Sequence, residues 1–247
     1  MTDTVGRPRV AIVTGAGRGI GAQIARELVG HGLLVVRSDI SPVSNWESVE
    51  GSEQLFKPLD VTSETDCERA VSEVKSRFGH LDVLINNAGI THRAPPEDHT
   101  LEAWERVLSV NLTGAFLMSK AARPLLADGV NAAIVNISST NAVIAVRNSI
   151  AYGVSKAGVI QLTRSLAYEW AHFGIRVNAV GPTIVPTEMT AGIREDPAYM
   201  RDKMASIPLG RMASAHEVAS VIAFLASPDA GMVTGQTIVI DGGATIH

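Results

Sequence analysis

Cysteine is almost missing from this chain: Cys67 is the only one in 247 residues, which excludes an intrachain disulfide and fits a reducing compartment. Aromatic residues are scarce at 4%, too few for the stacking platforms of a single-strand nucleic-acid binder. Basic excess is missing too: 21 Lys and Arg against 25 Asp and Glu leave a net charge of −4, where a nucleic-acid partner would need a concentrated basic face. No apolar run reaches membrane-spanning length, and the N-terminal MTDTVGRPRV lacks the apolar core of a signal peptide, so the chain reads as cytoplasmic. Cys67 lies in SETDCERAVSEV, a charged helical pattern that predicts a surface or half-buried filler rather than a catalytic thiol. No metal centre is expected, and neither an internal repeat nor a low-complexity tract interrupts the chain.

What is present is a globular composition, 46% hydrophobic and 19% charged, with no shift that marks a domain boundary. Residues 1–247 therefore read as one domain. Short β-branched runs alternate with helical patterns. Strands are expected at 9–14, 33–40, 54–60, 81–89, 132–139, 175–182 and 237–243. Helices are expected after Gly21, from about Ser63, in a long run from Thr100, around Tyr152, and at 215–226. That alternation predicts an α/β fold, a doubly wound parallel sheet of seven strands. The Thr100 and Tyr152 helices carry apolar residues all round, so a face of each needs a partner; a homo-oligomer, dimer or tetramer, supplies it. Residues 183–212, rich in proline and of mixed polarity, suit a lid over a substrate.

The first strand runs into GAGRGIG, then a helix, then a second strand ending at Asp39, 20 residues beyond Gly19. In a βαβ unit such glycines bring a dinucleotide's pyrophosphate onto the helix N-terminus, and the carboxylate accepts from the ribose hydroxyls. Gly15, Arg18, Gly19, Ile20 and Gly21 form that loop. Further on, Tyr152 and Lys156 stand four apart and share a helix face, where an ammonium one turn away favours the phenolate. A serine hydroxyl, Ser138 or Ser139, ends the fifth strand beside them and is placed to hold a substrate carbonyl.

From TGAGRGIG through NNAG, SS, YGVSK and the closing DGG, essentially the whole chain resembles the short-chain dehydrogenase/reductases. The resemblance implies a Rossmann fold and selects Ser139, thirteen residues before Tyr152, as the catalytic serine. It makes Tyr152 the acid/base, gives Lys156 the ribose and the lowering of the tyrosine pKa, and has Asn111 support a proton-relay water. It matches Asp60 to an adenine-contacting aspartate with Val61 beside it, and Asn87, Ala88 and Gly89 to the cofactor-lining turn. Pro182, Val185 and Thr187 are left to frame the nicotinamide carboxamide. Two departures stand out. Pro182 is followed by Thr183 where the family usually has glycine, which resembles the sugar- and polyol-oxidising branch, and the glycine often found two or three positions after the catalytic serine is missing. Asn141 there either reaches the substrate or caps its loop.

NAD is favoured over NADP, because Asp39 opposes a 2′-phosphate and Ile40 supplies no cation against it. Arg18 either lies along the adenosine or is solvated, and the sequence does not fix where Arg37 points. The expected activity is NAD-dependent hydride transfer between a secondary alcohol and its ketone, with Pro182-Thr183 pointing to a sugar or polyol. Its rivals are an NADPH-dependent 3-oxoacyl-[acyl-carrier-protein] reductase and a non-enzymatic NAD-binding redox sensor, though a sensor has no need of Ser139, Tyr152 and Lys156.

Overall fold

The structure is a computed structural model that describes residues 7–55 and 58–246. Seven strands make one sheet: β1 Val10–Thr14, β2 Leu34–Ser38, β3 Ser52–Gln54, β4 Val83–Asn86, β5 Ala133–Ile137, β6 Arg176–Pro182 and β7 Thr237–Ile240. They lie in the order β3-β2-β1-β4-β5-β6-β7, and every pairing is parallel. Strands β1, β4, β5 and β6 are buried at every residue. Their largely apolar runs follow from helices on both faces of the sheet. Helices α1 Gly19–Gly30 and α8 Ala215–Ala226 pack on one face, around Ile24, Leu28, Val218 and Ile222. The other face takes α2 Glu64–Phe78, α4 Gly114–Ala127 and α5 Ile150–Trp170, around Val74, Met118, Leu126 and Leu166.

The chain winds outward from β1 to β3, then starts again at β4 and winds the other way. The break between β1 and β4 is where such sheets open a crevice at their carboxyl ends. Local signals place the helices around it. The Ser63 hydroxyl accepts from Asp66 N–H at 3.2 Å to start α2, which stops at Gly79 in the left-handed region. Ser214 and Glu217 form a reciprocal capping box on α8.

Three expectations need correction. The third strand is Ser52–Gln54, not 54–60: residues 58–60 carry no strand, because Pro58 lacks a ladder donor, and positions 56 and 57 of the expected strand lie outside the described residues. The long helix after Thr100 is α3 Leu101–Leu108, then a π-turn at Ser109–Thr113, then α4. Cys67 is fully buried under α2, its thiol directed at the Val61 carbonyl at 3.5 Å; burial, with Asp66 and Asp60 nearby, pushes the thiol up to about 12. The apolar stripe of α2 is narrow, and Cys67 falls on it.

Between β6 and α8 lie a short turn at Glu188–Thr190 and the helices α6 Ala191–Arg194 and α7 Pro197–Ala205. They carry a small core of their own, with Ile184, Ile207 and Ala244 backed by Tyr199, Met200 and Met204. Apolar side chains stay exposed on the helices expected to need partners: Phe116 on α4 and Ile150 and Val154 on α5.

Candidate active site

The glycine loop is held from three sides. Gly15 sits at φ +61°, and a Cβ there would come within 2.8 Å of Ala88 Cα; one on Gly21 would strike the Gly15 carbonyl. The turn after β4 is thereby pressed against the loop. Thr14 Oγ1 accepts from Asn87 N–H and Ala88 N–H, both at 3.1 Å, and Asn87 Nδ2 donates to the Thr14 and Gly15 carbonyls, both at 2.9 Å. Below the loop lies Arg37, now fixed in direction. It is buried, donates to Ala16 O at 2.7 Å and Glu47 O at 2.9 Å, and stacks on Trp46 with its guanidinium 5.1 Å from the ring centre.

Asp39 is spread over the loop's outer edge. Its Oδ2 accepts from Gly17 N–H at 3.0 Å, and its Oδ1 accepts from Ser41 N–H and Oγ at 3.0 and 2.9 Å. A Cβ on Gly17 would meet this carboxylate at 2.9 Å. Arg18 is solvated on one side and paired on the other, with Nε 2.8 Å from Glu188 in the segment after β6. Thr187 lies against Gly19 from that same segment. Asp60 Oδ1 closes a tight turn by accepting from Thr62 N–H at 2.9 Å, while buried Val61 packs on α4 where Gly114 leaves room for it.

These features fit a dinucleotide. Gly15, Gly17 and Gly21 stand where a Cβ would collide with the loop's own surroundings, the first N–H groups of α1, at Ile20 and Gly21, have no helical carbonyl to bond, and the Asp39 carboxylate stands at the end of β2 beside them.

The serines divide their work. Ser138 Oγ donates to Lys156 O at 2.9 Å, buried, and so pins α5 to the end of β5. Ser139 faces the cleft, starting a 3₁₀ turn in which its hydroxyl accepts from Asn141 N–H at 3.2 Å. Asn141 donates its Nδ2 to Ser149 Oγ at 3.1 Å, so in this structure it caps the loop. Lys156 is buried, with Nζ donating to Ile137 O at 2.7 Å and lying 5.7 Å from the centre of the Tyr152 ring. Burial pulls its ammonium down to about 8. The Tyr152 phenol runs opposite to the sequence expectation: in the chain alone burial pushes it above its ordinary value, and a hydrogen bond with Ser139 only partly opposes this.

Asn111 sits in the π-turn that splits α3 from α4. Its Oδ1 accepts from Ile90 N–H at 2.8 Å, and its Nδ2 donates to Ile90 O and Ser155 Oγ, both at 3.0 Å. The extra residue of a π-turn is what swings this side chain across to the strand β4 loop. Gly89 lies between Asn111 and Lys156: a Cβ there would be 3.2 Å from Asn111 Oδ1 and 3.5 Å from Lys156 Nζ. Asn111 and Lys156 thus meet at the Gly89 turn, with Tyr152 beside Lys156 and Ser139 beside Tyr152.

Some contributors were not read from sequence. Asn86 Nδ2 donates to Asn136 Oδ1 at 2.8 Å and Ser119 Oγ at 2.9 Å, and Asn136 Nδ2 donates to Thr163 Oγ1 at 2.9 Å. This buried ladder ties β4, β5, α4 and α5 together directly beneath the site. The available signal was an asparagine inside each of two otherwise apolar strands. Trp46 and Glu47, which frame the glycine loop, gave no signal because they fall in an irregular segment, and Arg26, on α1, gave none because nothing in the sequence ties it to Glu47. Pro182 ends β6, and Thr183 after it is buried, with a hydroxyl that has no hydrogen-bond partner among the described residues.

Comparison with known proteins matches residues 15–245 to a family model described as Enoyl-(Acyl carrier protein) reductase. The chain is 42% identical to the cis-4-hydroxycyclohexanecarboxylate dehydrogenase of Sinomonas cyclohexanicum, covering 96% of both chains. It is 36% identical to the NAD-dependent glycerol dehydrogenase of Listeria innocua, covering 96% of this chain and 94% of that one. Among solved structures, a gluconate 5-dehydrogenase from Burkholderia cenocepacia in complex with NADP and tartrate superposes with a TM-score of 0.91 at 30% identity, covering 97% of this chain and 96% of that one.

Proposed function

This chain belongs to the short-chain dehydrogenase/reductase family and interconverts a secondary alcohol and its ketone; from that premise we propose that it works with NAD and that Tyr152 is its acid/base. The observation that carries the reading is the convergence on one cleft of Ser139, Tyr152 and Lys156, with Lys156 Nζ within reach of the Gly89 turn. A bound nicotinamide dinucleotide would supply the hydride acceptor for this oxidation. Tyr152 takes the hydroxyl proton as the hydride leaves carbon, and Ser139 donates to the oxygen that becomes the carbonyl. Lys156 holds the ribose and, as an ammonium, offsets the burial that raises the phenol. Asn111 supports the water through which the proton leaves.

Gly15 to Gly21 receive the pyrophosphate, with Ile20 N–H at the helix start. Asp39 receives the ribose hydroxyls, and Asp60 with Val61 the adenine. Asn87, Ala88, Gly89, Pro182, Val185 and Thr187 frame the nicotinamide. NAD is preferred because Asp39 faces a 2′-phosphate directly, and because Arg18, the nearest loop cation, is engaged by Glu188. Residues 183–212 form the lid, and residues 1–247 act as one unit. The substrate is a small hydroxylated molecule, a polyol, sugar or cyclic hydroxy acid, as the relatives' substrates are. Exposed apolar side chains on α4 and α5 support a homo-oligomer, and a lone buried cysteine supports a reducing, cytoplasmic setting.

The test is Tyr152→Phe, assayed with NAD against a panel of polyols, sugars and hydroxy acids. Turnover of any accepted alcohol falls by about 10²–10⁴-fold, the range for positioned proton transfer, while the NADH dissociation constant holds. A mutant keeping more than about a tenth of turnover, outside that range, would assign the proton to another residue.

A further inference from the structure

Asp39 is not alone at the adenosine end of the cleft. Two residues along the loop from Gly17, the Gly19 N–H is also taken by a carboxylate: it donates to Glu47 Oε1 at 2.8 Å. Glu47 is locked in place from several sides. Its own N–H donates to Gly17 O at 2.7 Å, its carbonyl accepts from buried Arg37 at 2.9 Å, and its Oε2 pairs with Arg26 at 2.8 Å. Next to it, Trp46 packs against Gly17, 3.1 Å from where a Cβ would stand. A hydrogen bond from Gly19 N–H and the Arg26 cation hold the Glu47 carboxyl below its ordinary range despite the opposing effect of partial burial, so it is charged at neutral pH.

We propose that Glu47 is a second cofactor-specificity residue, acting beside Asp39 to keep a 2′-phosphorylated dinucleotide out of this cleft. The proposal rests on the reading of the chain as NAD-preferring. Two physical effects carry it. A phosphate on the ribose needs donors, and the two loop N–H groups nearest that end, at Gly17 and Gly19, are already satisfied by carboxylates. The phosphate also brings roughly two negative charges toward two fixed ones, and repulsion of this kind works as specificity against the wrong ligand. The Arg26 partner does not cancel the argument. Fields superpose, so removing the Glu47 charge changes the potential at the phosphate by the same amount whether Arg26 is present or not.

Glu47→Gln removes the charge and keeps an oxygen that accepts from Gly19 N–H, whereas Glu47→Asp keeps the charge and shortens the reach. A charge role and a loop-positioning role therefore predict opposite results for the pair. NADH and NADPH are titrated separately into wild type, both Glu47 variants, Asp39→Ala and the double variant Asp39→Ala/Glu47→Gln, following nicotinamide fluorescence. The Kd ratio of NADPH to NADH should fall about tenfold in Glu47→Gln, with the gain shrinking as salt rises, and stay near wild type in Glu47→Asp. The double variant should favour NADPH more than Asp39→Ala alone. A ratio unmoved in Glu47→Gln, or moved only in Glu47→Asp, overturns the proposal. A wild type that prefers NADPH instead sinks the NAD reading, and the change on Glu47→Gln still decides for or against Glu47.

Discussion

Replacing Lys156 by glutamine separates its two proposed tasks, because one is electrostatic and pH-dependent and the other is not. Its Nζ lies 5.7 Å from the centre of the Tyr152 ring, in a site where Lys156 itself is buried. At an effective dielectric constant of about 20, a unit charge at about 6 Å is worth about 3 kcal/mol to a phenolate, or about two pK units. The phenol is already pushed upward by burial, so this is help it needs at neutral pH. With glutamine in place, alcohol oxidation should require a pH about two units higher, and at neutral pH kcat/KM should drop about a hundredfold. The gap should narrow above pH 8 or so, because burial brings the Lys156 ammonium itself down to about 8, and beyond that the wild type loses its own advantage. Tyr152 and Lys156 titrate as a coupled pair, so the measured quantity is the apparent pKa of the pair. The assay is kcat/KM for oxidation across the neutral-to-alkaline range, with NADH affinity measured in parallel. A loss of the same size at every pH, accompanied by weaker NADH binding, would refute the electrostatic argument and leave Lys156 as a ribose anchor alone.

Two more outcomes are expected. Asn136→Ala breaks the buried ladder from Asn86 to Thr163 and should cost about 2–3 kcal/mol in urea or thermal unfolding, the scale for stranding a buried polar partner; a loss under about 0.5 kcal/mol, typical of a surface change, would show the ladder carries no strain when cut. The exposed apolar face of α5 around Val154 should be covered by a second copy, so light scattering should show a dimer or tetramer and Val154→Glu a smaller species; a monomeric wild type at micromolar concentration ends that reading.

The sheet was legible because its central strands are buried on both faces, and a mostly apolar run of five or so residues between helical patterns has few other uses. Where burial is partial the signal weakens. β3, an edge strand of polar residues Ser52–Gln54, carries no alternation, so the sequence placed a strand on the more apolar stretch just beyond it. The π-turn was invisible for a different reason. SVNLTG is as good a helix as its flanks, and only the packing of Asn111 against Ile90 across the chain shows the extra residue. Cys67 was misjudged because its neighbours are charged, yet a helix hides one residue in three or four whatever the others are.

The glycine loop shows how far the same reasoning reaches into a site. Spacing identifies the loop and the carboxylate at Asp39, since a backbone that must meet a pyrophosphate needs glycine at fixed offsets. What holds the loop from behind obeys no spacing. Arg37 points inward because the Ala16 carbonyl has no ladder partner there and two guanidinium nitrogens satisfy it, with a longer bond to the Gly17 carbonyl that Glu47 N–H also serves. Glu47 follows from Arg37, whose Nη1 fixes the Glu47 carbonyl and so delivers the adjoining carboxylate to Gly19. The proposed hydride-transfer residues and Asp39 are thus legible at set intervals, whereas the second carboxylate proposed to act on the choice of dinucleotide, Glu47, sits in a support layer that only the folded chain assembles. A change of cofactor should accordingly be sought at Glu47 and Arg37 as well as at Asp39, with Arg37 the costlier site, because its loss strands the Ala16 and Glu47 carbonyls at once.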